Sequence, residues 1–222
     1  MSKRTFTVGV LVVAALLAVG GLFASNMGFK VNFPMLAGSD AGSLNGTNLL
    51  ALPFNRQTGL TTAKSLIDDI GSANVISVSR LIESTNAFEV YDGTLVTPDP
   101  DFPLATGEGY IVRLAANVNY IVVGSHDPSF PVDMDSAVEL DSLNGTNFYS
   151  YPYHSTATTS KGLIDDIGSA NVISISRHIR LTNAFEVYDG TLVTPDPDFA
   201  LAPGEAYLVR MGTTTPYTPS HF

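Results

Sequence analysis

The sequence predicts a mainly β chain: two tandem homologous antiparallel β modules, each a small barrel or sandwich with one short helix, after an N-terminal apolar helix. Three observations lead there. Residues 66–113 recur at 163–210 with an offset of 97, and 40 of the 48 positions are identical. Each copy carries short runs of β-branched and aromatic residues that alternate in polarity and end at Gly, Pro, Asn or Asp. Residues 6–25 form an uncharged run of 20 residues, which as a helix spans about 30 Å, one hydrocarbon core.

The apolar run follows Lys3 and Arg4, which favour a cytoplasmic N-terminus. A cleavable leader wants small residues at its exit. Cutting after Ala24 or Ser25 instead places Leu22 or Phe23 where a small residue belongs. Residues 1–25 are therefore expected to be a retained anchor or uncleaved signal, with a cleaved leader as the alternative. Residues 26–127 are assigned to the first module with its juxtamembrane segment, and 128–222 to the second. Everything after residue 25 then lies outside the cytoplasm, at the periplasmic face of an inner membrane or at the cell surface. That part holds nine basic residues and all 21 acidic ones, so it should stand off anionic headgroups.

Within a module the elements follow in order. LNGTN at 44–48 recurs at 143–147 as an Asn-Gly turn. The strands NLLALPF (48–54) and NFYSYPY (147–153) follow it, with Pro marking an edge. Thr61 or Thr62 caps a short helix through Ala63, Leu66, Ile67 and Ile70, which Gly71 stops. Val75–Ile82 alternates, with Ile76, Val78 and Ile82 on one face and Ser77, Ser79 and Leu81 on the other. Ala87–Tyr91 is the next strand, ended by Asp92-Gly93. The loop TLVTPDPDFPLATGE leads to a strand at 110–114, matched at 207–211. After a strand at 120–123, residues 125–141 hold five acids and read as a linker with one strand.

Composition excludes several chemistries. The absence of Cys removes disulfides, thiol nucleophiles and iron–sulfur ligands. A net charge of −10 excludes a nucleic-acid partner, which needs a basic face. His126, His154, His178 and His221 show no metal-ligand spacing. Gly124-Ser125-His126-Asp127 lacks the Gly-x-Ser-x-Gly of a nucleophile elbow. No enzymatic activity and no resident cofactor are expected.

Four features remain as candidates. Asp92, Asp99 and Asp101, with Asp189, Asp196 and Asp198 in the second copy, surround a Pro-stiffened turn and can offer oxygens to Ca²⁺; local turn bonding is the competing account. Asp68-Asp69 and Asp165-Asp166 sit late on the helices, where the dipole disfavours acids. Tyr149, Tyr151 and Tyr153 alternate as a possible glycan-stacking row, although Leu50, Leu52 and Phe54 replace them in the first copy. Leu81, Glu83, His178 and Arg180 mark the sharpest differences between the copies, and an outward strand face there is an expected interface for a partner.

Asn26-Met27-Gly28-Phe29-Lys30 follows the leader, then comes Gly-Thr-Asn with an apolar strand ending in Pro, then Gly-Glu-x-Tyr-x-Val. In these motifs the chain resembles a loosely defined group of exported β-repeat proteins of Gram-negative bacteria. The resemblance implies export and modular β structure, and carries no activity. The expected function is a non-enzymatic, membrane-anchored structural or accessory subunit that binds protein partners in a larger membrane complex. The alternatives are a secreted surface-layer or filament subunit, and a glycan- or Ca²⁺-dependent adhesion module.

Overall fold

The computed structural model describes residues 29–56, 59–93, 101–125, 131–137, 144–190 and 198–220. The segment 6–25 lies outside them. Among the described residues no helix is long and apolar enough to cross a membrane.

The chain is mainly β, with several antiparallel sheets and two short helices. In the first copy the strands are β1 (Phe29–Met35), β2 (Thr47–Ala51), β3 (Asn55–Arg56), β4 (Val75–Ile82), β5 (Ala87–Tyr91), β6 (Gly109–Leu114) and β7 (Val118–Ser125), with helix α1 (Ala63–Ile70) before β4. In the second they are β8 (Val132–Met134), β9 (Thr146–Ser150), β10 (Val172–Ile179), β11 (Ala184–Tyr188), β12 (Ala206–Met211) and β13 (Thr215–Tyr217), with helix α2 (Ser160–Ile167). Two four-stranded sheets share one order, β2-β6-β4-β5 and β9-β12-β10-β11. Two smaller sheets, β1-β7-β3 and β8-β13, also correspond: Phe33 opposite Tyr120 matches Val132 opposite Tyr217. None of these sheets closes on itself, so the barrel alternative is set aside.

Each large sheet buries one face under its helix and its small sheet. Leu50 and Leu52, Val78, and Tyr110 and Val112 point into the first core and meet Leu66 and Ile67 of α1. Tyr149, Ile175, Tyr207 and Leu163 build the second core likewise. Each aliphatic side chain fully removed from water there contributes about 1.5–3 kcal/mol. The helices start where the sequence places them. Thr62 accepts from Ser65 N at 3.3 Å, and Ser65 Oγ accepts from Thr62 N at 2.8 Å, a reciprocal capping box. In α2 the third position is Gly162, so Thr159 accepts from its N at 3.1 Å with no side chain to answer. The late acids are also used: Tyr120 Oη donates to Asp69 at 2.6 Å, and Tyr217 Oη donates to Asp166, pinning each helix to the small sheet.

One strand departs from simple alternation. The β4–β6 register shifts between Val75 and Ser77, and a bulge of this kind flips the phase of the residues before it. Val75 therefore packs on the core and Ile76 is 40% exposed, the reverse of the expected assignment.

Candidate functional site

The other face of each large sheet is apolar too. Across the first sheet, Leu49, Ile111, Ser79 and Val90 form one row, because each pairs with the next. Leu81 pairs with Phe88 and lies on the same face two residues on. The second sheet repeats this with Phe148, Leu208, Ser176 and Val187, and with His178 beside Phe185.

The inner halves of these two faces cover each other. Leu49, Ala51 and Leu81 of the first copy form one buried cluster with Phe148 and Ala206 of the second, flanked by Ile111 and Leu208. Two reciprocal hydrogen bonds close the junction: Ala51 N donates to Gly204 O at 2.8 Å, and Ser150 N donates to Gly107 O at 2.9 Å. Ala51 matches Ser150 and Gly107 matches Gly204 in the repeat, so the contact is pseudo-twofold. Ser150 Oγ adds a bond of its own to Leu52 O at 2.7 Å.

This corrects the expected partner face. Leu81 is 6% exposed and is covered by the other half of the chain rather than by an outside protein. Glu83 is half-buried and lines a cleft at the junction. His178 is half-buried, its Nε2 3.0 Å from Asn183 Oδ1 and its ring edge-on to Phe185. Arg180 reaches across the junction, its Nη1 donating to Pro34 O at 2.8 Å.

The cleft beside Glu83 is a cavity of about 300 Å³, walled by Leu81, Glu108, Val132, Asp133 and Phe148 among others. Glu108 accepts from Tyr110 Oη at 2.7 Å. Burial, its largest cause, pushes the Glu108 carboxyl above the usual carboxylate range, against the pull of that hydrogen bond and of Arg80 and Arg56. Glu108 thus holds its proton more readily folded than unfolded. Its contribution to stability is most favourable in acid and declines as pH rises through the carboxylate range.

The remaining candidates separate. Tyr149 and Tyr151 are buried in the second core at 1% and 5% exposure, and only Tyr153 reaches the surface, edge-on to His154. They form no exposed stacking row, because the alternation that aligns them aims them inward; Tyr151 Oη donates to Ala157 O. Asp101 accepts from Lys64 N at 2.8 Å, and Asp198 accepts from Lys161 N at 2.8 Å and Ser160 Oγ at 3.0 Å. These carboxylates cap helix N-termini, which no local motif announced because capped and capping residues are 37 positions apart. Asp92 and Asp189 end β5 and β11, while Asp99 and Asp196 lie outside the described residues. Among the described residues no three His, Asp or Glu side chains converge as a metal set. Because Asp101 and Asp198 already serve as helix caps, millimolar Ca²⁺ is expected to leave the melting temperature unchanged, since a ligand of the native state must raise it. A rise of several degrees that Asp99→Asn and Asp196→Asn abolish would restore the calcium account.

Sequence reasoning passed over Asn48 and Asn147, which are fully buried. Asn48 Oδ1 accepts from Leu36 N at 3.0 Å, while Nδ2 donates to Leu36 O at 3.0 Å and Gly46 O at 2.9 Å. Asn147 does the same with Asp135 N at 2.8 Å, Asp135 O at 2.9 Å and Gly145 O at 3.2 Å. Each amide joins the chain entering its repeat to the first strand of the large sheet. The available signal was an Asn opening an apolar strand in both copies. The neighbouring Asn45-Gly46 and Asn144-Gly145 are the expected turns, with φ of 75° and 73° at the glycines.

Comparison with protein-family models, curated proteins and solved structures finds no match for this chain.

Proposed function

We propose that this chain is a non-enzymatic structural or accessory subunit, anchored through residues 6–25, that presents two repeated β modules outside the cytoplasm to protein partners. One observation supports it above the rest. The outer halves of the two sheet faces stay open: Phe88 and Val90 are 43% and 41% exposed, and Phe185 and Val187 are 46% and 41% exposed. They sit on β5 and β11, which are edge strands. Apolar side chains on an unpaired edge, continuous with a buried interface, favour association with another polypeptide. The charged residues of these strands alternate onto the opposite face of each sheet, where Arg80 meets Glu89 at 2.6 Å and Arg177 meets Glu186 at 2.5 Å, so neither pair charges the open face.

The test is crosslinking and co-purification from membranes in mild detergent, comparing the native chain with a Phe88→Ser/Val90→Ser variant and its Phe185→Ser/Val187→Ser counterpart. Loss of a defined partner with the melting temperature held within about 2 °C, the scale of a surface change, is the expected result. Full retention of partner in both variants overturns the reading. The same duplicated edge also favours a surface-layer or filament subunit, because AFEVY occurs in both β5 and β11. Self-association of the purified chain that either double variant abolishes would select that alternative.

A further inference from the structure

The two exposed edges are one strand used twice. Residues 85–102 and 182–199 are identical at all 18 positions, and all eight differences between the repeated blocks fall outside this run. Among those eight are positions at the junction itself, Leu81/His178 and Gly109/Ala206. Drift alone works the other way, since exposed positions change at little cost and packed ones do not. Yet Phe88 and Val90, at 43% and 41% exposure, return unchanged as Phe185 and Val187. A single kind of contact surface, met by both edges, accounts for their staying alike.

The junction points to what that surface is. There the inner half of the first sheet face, through Leu49, Ala51 and Leu81, already mates with a repeat of itself at Phe148 and Ala206. The open residues continue the same face. Phe88 is the cross-strand neighbour of Leu81, and Val90 lies in the row of Ser79, Ile111 and Leu49. We propose that β5 and β11 pair edge to edge with these same strands of further copies of the chain, so that each molecule joins two neighbours in an open row. This rests on the partner-binding reading of the edges and names a second copy as the partner. Among the described residues neither strand has a second neighbour in its sheet, so an added strand satisfies its outer backbone groups and extends the apolar face. The Arg80–Glu89 and Arg177–Glu186 pairs stay on the far side of the joint. Two equivalent edges per molecule make growth continue past the dimer, where a single edge would stop it. Each copy carries a net charge of −10, so neighbours repel at low salt and association strengthens as salt is added.

The test is the mass of the purified full chain in detergent micelles, by sedimentation velocity over concentrations reaching about 1 mM, the Kd of a weak contact. Species beyond the dimer are expected, growing with concentration and with salt and reversing on dilution. Val90→Lys, which charges one edge, should end open growth, and Val90→Lys/Val187→Lys should leave single chains. Phe88→Ser/Phe185→Ser, which adds no charge, should also leave single chains. All three variants should melt within about 2 °C of the native chain, as surface changes do. A mass of one chain at every concentration, or growth that both two-edge variants leave unchanged, overturns the proposal. A native chain that stays single, yet loses a different co-purifying protein on Phe88→Ser/Val90→Ser, overturns self-association alone and leaves the partner-binding reading standing.

Discussion

Asn48→Asp is expected to destabilise the fold by on the order of 4 kcal/mol at neutral pH, lowering the melting temperature by about 10 °C. The native amide donates from Nδ2 to Leu36 O, to Gly46 O and more weakly to Val112 O at 3.4 Å. A carboxylate has no hydrogen to give and would face those three carbonyl oxygens with a charge, at a position of 0% exposure. Both desolvation and the carbonyl dipoles disfavour its charged form, so its folded pKa must rise above the unfolded value. The native state then binds the proton more tightly, and stability returns as pH falls through the carboxylate range. Asn48→Ala loses the same hydrogen bonds with nothing to titrate and should show no such recovery. Denaturant melts of both variants across pH 4 to 8, the range over which a raised carboxyl titrates, separate the two; equal pH profiles would show that Asn48 is not buried among carbonyls.

The same residue shows what can and cannot be read from one sequence. The capping box, helix face and stop for α1 all sit within ten positions of one another, so TTAKSLIDDIG announces the helix locally, although the Asp101 cap does not show there. β5 is likewise bounded by its own turn residues, and its expected limits coincide with Ala87–Tyr91. β1 escaped notice because Pro34 interrupts it; as an edge strand opposite β7 it tolerates the missing donor. Ile76 was placed on the wrong face because a bulge leaves no signature in alternation. Leu81 was placed on the correct side of its strand but given the wrong neighbour. Alternation separates the face toward the helix from the face away from it, and cannot reveal that a second copy of the same sheet covers the latter. The junction was legible only as eight unexplained differences between the copies. Four of them, Leu81/His178, Glu83/Arg180, Gly109/Ala206 and Ile111/Leu208, belong to positions on it.

Gly109→Ala tests that junction most directly and is expected to cost about 2–3 kcal/mol. A Cβ on Gly109 would lie 2.5 Å from Ala206 Cβ and 2.9 Å from Phe148 Cδ2. Ala206 is the repeat equivalent of Gly109, so the two positions meet across the pseudo-twofold, and only one of them has room for a methyl group. The Ala206 methyl is fixed to a strand backbone and cannot rotate away, so the sheets themselves must separate. Removing the opposing methyl should relieve most of this. Ala206→Gly alone is expected to cost about 1 kcal/mol, through the lost side chain and added chain entropy. The Gly109→Ala/Ala206→Gly double variant, which exchanges the two across the junction, should be far more stable than the sum of its parts. Phe148 leaves a residual strain, because its first-copy counterpart is the smaller Leu49; adding Phe148→Leu should relieve it at the expense of some buried area. A double-mutant cycle in denaturant measures the coupling, expected at about 2 kcal/mol in the compensating direction. Additive behaviour within about 0.5 kcal/mol, the range seen for distant sites, would mean the two copies do not pack through these faces.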